Sequence, residues 1–135
     1  MEDFVTYDLA VKLKEKGFRN ECIATYDIDD KEFDFNNYIL RVAYQMNMTA
    51  KDCLRVFNDS NCGLIDAPTI PQVLKWLREE KKMHIQILFV CPPNRWEYIT
   101  VKMTNNEHRG MCANFTSYEE AALAGIEYVL DNLIL

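Results

Sequence analysis

Five cysteines and two histidines are the side chains of this chain best suited to binding a metal or attacking a substrate. Zinc sites draw four ligands from closely spaced Cys and His. Cys22, Cys53, Cys62, Cys91 and Cys112 form no C-x-x-C pair, and the nearest thing to a ligand pair is His108 with Cys112, a lone H-x-x-x-C. A cysteine nucleophile needs a base to take its proton. Cys22 and Cys53 stand in apolar sequence and read as small core residues, whereas Cys91, before two prolines, and Cys112, in a polar stretch, are placed for exposure. His84 opens a strand on its polar side, an ordinary place for a histidine.

The carboxylates give no stronger pattern. A calcium loop needs glycine at its sixth position and glutamate at its twelfth. Counting from Asp27 puts Glu32 sixth, and counting from Asp59 puts Leu64 there, so both runs read as solvated turns. Glu119 and Glu120 fall at a helix start, where they complement the helix dipole. There is no G-x-S-x-G, and four glycines cannot build much of a phosphate loop. The chain is therefore expected to be non-enzymatic, with no catalytic, cofactor-binding or metal-binding residues and no cofactor.

Composition narrows the partners. Fifteen Lys and Arg against 21 Asp and Glu leave a formal charge of −6, the wrong sign for neutralising phosphates, so nucleic acid is an unlikely partner. No apolar run reaches the roughly 18 residues of a membrane span. An odd cysteine count and an acidic start without a secretory leader predict reduced thiols and a cytoplasmic setting. At 135 residues, the whole of 1–135 is expected to form one domain.

The elements that must carry these residues follow from periodicity. Thr6 to Lys16 has Val5, Leu9, Ala10 and Leu13 on one face, a Thr6 cap and Gly17 beyond its end. "ECIATYDI" suits a short strand. Residues 28–65 read as a helical insertion, with helices over 38–46 and 49–59, although the β-branched and aromatic residues of 38–46 also suit a strand. Residues 38–57 also have the outline of a helix-turn-helix, so a DNA-binding regulator is the alternative function. Thr69 and Gln72 form a T-x-x-Q capping box with Pro71 in the first turn, before the stripe Ile70, Val73, Leu74 and Leu77. Ile85, Ile87 and Phe89 then alternate with His84, Gln86 and Leu88, as in a strand with one face buried. After "CPPNR", Ile99, Val101 and Met103 alternate with Tyr98, Thr100 and Lys102, which completes a hairpin. Residues 104–115 read as a polar loop. The closing helix has a second capping box, Ser117 with Glu120, and carries Tyr118, Ala122, Ile126, Val129, Leu130 and Leu133 on one face. Gly125 shares that face, where another backbone is expected to pass closely. The predicted class is α+β: a small, largely antiparallel sheet of about three strands covered by helices.

Aromatic residues offer the remaining candidate surface. Trp76, Trp96 and Tyr98 are the residues chosen for a partner-binding patch, although aromatics in small domains mostly fill cores. The partner expected is a protein, and the free edges of a three-stranded sheet allow a homodimer.

Three blocks, "LAVKLKEKGF" (9–18), "DAPTIPQVLKWLREEKKMHIQI" (66–87) and "SYEEAALAGIEYVLDNLI" (117–134), together resemble a group of small uncharacterised proteins from prophage and mobile-element regions of anaerobic gut bacteria. That pattern is a first helix ending in K-G-F, an A-P-T helix with a W-L centre leading into a strand, and a closing E-A-x-x-A-x-I helix. The blocks make up 50 of the 135 residues. Residues 28–65 depart from the pattern and are longer than usual for it. The resemblance implies a bacterial or phage cytoplasmic setting and carries over no activity and no site residues.

Overall fold

The first helix, α1 (Tyr7–Glu15), begins where the side chain of Thr6 accepts the Leu9 N–H at 3.3 Å. It ends at Gly17, whose φ of +96° is the left-handed conformation that favours glycine. The computed structural model describes residues 4–20, 22, 24–27, 31–35 and 64–134. Among them are three helices and six strands in two antiparallel three-stranded sheets, an α+β architecture. They divide between two compact units.

One unit runs from Phe4 to Thr69. Its sheet has the order β2–β1–β3, from β1 (Ala24–Asp27), β2 (Phe33–Phe35) and β3 (Leu64–Asp66). Only β1 was expected. Strands of three residues carry too little alternation to read, and long-range pairing makes them: Thr25 lies opposite Asp34 on one side and Asp66 on the other. The described parts of segment 28–65 are thus turn and strand. The helices expected over 38–46 and 49–59, and the helix-turn-helix outline at 38–57, lie outside the described residues. Leu9, Ala10 and Leu13 of α1 are buried as the stripe predicts. Tyr26 donates its hydroxyl to the Val5 carbonyl at 2.6 Å, and burial pushes its ionisation up.

The other unit contains α2 (Ile70–Glu80), β4 (Met83–Val90), β5 (Arg95–Lys102), β6 (Glu107–Phe115) and α3 (Tyr118–Asn132). The strands run in the order β4–β5–β6, and both helices lie against this sheet. The hairpin forms as predicted, with a connection one residue shorter because Arg95 already pairs with Val90. Residues 104–115 are corrected: they are not a loop, since Glu107–Phe115 forms β6. Its sequence hides the strand because most of its side chains are exposed, so no buried face imposes alternation.

The second cap differs in one partner. Ser117 accepts the Glu120 N–H at 3.1 Å as a capping box requires, but the Glu120 carboxylate reaches Thr116, not Ser117. The Thr116 hydroxyl, and secondarily its backbone N–H, hold the Glu120 carboxyl below its usual range.

Lys82, between α2 and β4, has φ of +57°. A side chain there is disfavoured relative to glycine. Lys82→Gly is expected to stabilise the protein by about 0.5 kcal/mol, the left-handed relief exceeding the entropy glycine adds to the unfolded chain. Urea titration checks it: the midpoint should rise at unchanged slope.

Candidate functional site

In an antiparallel ladder, residues directly opposite one another share a face. The register of β4 with β5 puts Ile85 opposite Thr100, Ile87 opposite Tyr98 and Phe89 opposite Trp96. This is the face covered by α3, where an added Cβ at Gly125 would stand 2.9 Å from Ile85 Cγ2 and 3.2 Å from Tyr98 Cγ. Gly125 is therefore required by side chains of the sheet and not by a passing backbone. The same register overturns the burial that hydrophobic alternation in β5 suggests. Tyr98 and Thr100 are buried, while Ile99 and Val101 are half-buried and Met103 is exposed.

Burial along β4 fades toward its end. Met83 and Ile85 are buried, Ile87 is intermediate and Phe89 is 52% exposed. The cause lies in where α3 starts. Its first residue, Tyr118, stands edge-on to Trp96 with ring centroids 5.6 Å apart, and the helix covers the sheet from there toward Gly125. Phe89 lies beyond that cover, 5.1 Å from Trp96. Phe89 and Trp96 face each other at a position of the ladder where cross-strand side chains stand closest. The result is a surface cluster of Phe89, Trp96 and Tyr118, with Tyr118 38% exposed and Trp96 half-buried between the other two.

The three candidates read from the sequence are thus separated. Trp76 is buried on α2 with the Lys81 ammonium 5.4 Å over its ring. Tyr98 is buried beneath α3; burial, then the neighbouring Cys112 and Tyr128, push its ionisation up. Trp96 alone reaches the surface, with two residues that sequence reasoning passed over. The available signal was position: Phe89 is the last apolar residue of its alternation before the proline turn, and Tyr118 is the first residue after a cap.

The H-x-x-x-C pair does not converge. His108 lies opposite Val101 and Cys112 opposite Tyr98, and these positions of β5 point to opposite faces of the sheet. His84 also lies opposite Val101, which puts the two histidines on one face but two strand spacings apart, about 9.6 Å. Among the described residues no three His, Cys, Asp or Glu side chains gather as metal ligands. Cys22 is buried, and Cys91 and Cys112 are exposed. Among the described residues no helix is long and apolar enough to cross a membrane.

Comparison with models of protein families, with curated proteins and with solved structures found no match.

Proposed function

We propose that this chain is a non-enzymatic protein-binding module, of a bacterial or phage mobile element as the resemblance of its three sequence blocks suggests. The cluster of Phe89, Trp96 and Tyr118 is its contact surface. The observation that carries this reading is the half-exposed Phe89 packed against Trp96, ring centroids 5.1 Å apart, at the end of a sheet. Rigid aromatic anchors lose little side-chain entropy on binding and dominate the centres of protein interfaces. A cytoplasmic protein partner fits such a surface better than nucleic acid does, given a chain charge of −6.

The test is quantitative recovery of host proteins by mass spectrometry on immobilised wild type and on Phe89→Asp. A specific partner should fall about tenfold or more in recovery with the variant, since losing an anchoring aromatic costs about 2 kcal/mol or more of binding. Melting temperature should be unchanged, because Phe89 is already half in water. Equal recovery on both proteins would remove this surface from consideration.

A further inference from the structure

The three rings of the surface cluster make a shallow groove and not a pocket. Phe89, 52% exposed, and Tyr118, 38% exposed, rise on either side of the half-buried Trp96. Their ring centroids lie 5.1 and 5.6 Å from that of Trp96, which is ring-to-ring contact and leaves no cage for a small cation. The turn that follows Phe89, Cys91 to Asn94, is exposed throughout, and so is Thr116 before Tyr118. The chain segments that flank the groove are thus in solvent and do not close it.

The polar groups of this groove are donors. Among the described residues none is hydrogen-bonded to the Trp96 indole N–H or to the Tyr118 hydroxyl. An indole N–H only donates, and a phenol donates readily. A ligand that satisfies both must bring free carbonyls to an aromatic surface. A helix keeps its carbonyls bonded internally except in its last turn. An ordinary extended chain brings an N–H with every carbonyl. A proline-rich chain brings carbonyls without N–H groups, and its rings pack as apolar faces against aromatic ones.

We infer that the groove receives a proline-rich segment of a partner protein in polyproline II conformation, with a basic residue at the Tyr118 end. This deepens the protein-binding reading and rests on it. One turn of polyproline II, three residues at about 3.1 Å each, is about 9 Å long. A turn of that length spans the row from Phe89 to Tyr118, with Trp96 beneath its middle. The Trp96 N–H and the Tyr118 hydroxyl then donate to carbonyls that this helix leaves unpaired. The conformation exists before binding, so little ordering entropy opposes it. The basic residue follows from charge. Glu119 and Glu120 come directly after Tyr118 in the first turn of α3, and α3 contains no Lys or Arg to offset them.

NMR of the full chain, nitrogen-labelled, tests the inference with synthetic peptides. The protein has two indole N–H signals, from Trp76 and Trp96, and the buried Trp76 is the internal control. The probe is a peptide of about ten prolines, roughly three turns of polyproline II, with arginines at one end or the other. It should move the Trp96 signal, leave that of Trp76 in place and saturate with a Kd of about 100 μM, as a small transient contact does. Phe89→Ala should weaken binding about tenfold. Its melting temperature should not change, because Phe89 is already half in water. A glycine–serine peptide with the same arginines should not saturate. A Trp96 signal unmoved by millimolar peptide, an equal response to the glycine–serine peptide, or binding indifferent to Phe89→Ala would each overturn the proline-rich occupant. If the proline peptides fail while Phe89→Asp still loses a host protein in the mass-spectrometric recovery, the aromatic surface stands and only this occupant falls.

Discussion

Leu130→Ala is expected to destabilise the protein by about 3 kcal/mol, within the 2–5 kcal/mol range of buried leucine truncations. Leu130 is fully buried on α3, alongside Ile126 and Val129. Removing its isobutyl group costs the transfer free energy of the lost carbons and leaves a cavity that a helix held against three strands cannot collapse. For a chain of this size about 3 kcal/mol is a large part of the total stability. Both tryptophans, Trp76 and Trp96, belong to the Ile70–Leu135 unit. Tryptophan fluorescence in a urea titration therefore reports this core directly. A loss below about 1 kcal/mol would mean that Leu130 is not enclosed as described, because even Ile→Val in a core costs about that much.

The second large effect comes from adding atoms. Gly125→Val is expected to cost about 3 kcal/mol or more, because overpacking adds to the poor fit of a β-branched residue in a helix. Alanine makes the mechanism readable. By helix propensity alone, Gly125→Ala should stabilise α3 by about 1 kcal/mol. The new Cβ would stand 2.9 Å from Ile85 Cγ2, with Tyr98 close behind, so either the strand or the helix must give way. A repacking cost of about 1–3 kcal/mol outweighs the propensity gain, and the net result is a loss of about 1 kcal/mol. Combining it with Ile85→Ala removes the clashing methyl, so the double variant should lose less than the sum of the single ones. A purely additive double-mutant cycle, or a stabilising Gly125→Ala, would show that the helix does not approach the sheet this closely.

What the amino-acid sequence determined by itself is the set of features made by neighbours in the chain. The Thr6 cap, the left-handed Gly17, the Ser117 cap and the proline-containing hairpin were all legible, and all four appear. Each is set by groups within a few residues of one another, so residue type and spacing are sufficient information. The α+β class was legible for the same reason, since helical and strand periodicities are local.

Tertiary structure decided what depends on residues far apart in sequence. Strands β2 and β3 are three residues long, and β3 reaches β1 from about 40 residues away, so pairing and not pattern creates them. Strand β6 was misread as loop because its ladder with β5 stabilises it without a buried apolar face. In β5 the inward side was set by register: a shift of one residue exchanges the two faces, and pairing with Ile85 and Ile87 sends Thr100 and Tyr98 inward despite the more apolar Ile99 and Val101 beside them. The aromatic surface belongs here too. Trp76 and Tyr98 are as aromatic as Trp96, and composition cannot separate them. Only the start of α3 at Tyr118, which covers Tyr98 and leaves Phe89 beyond its reach, decides which rings meet water.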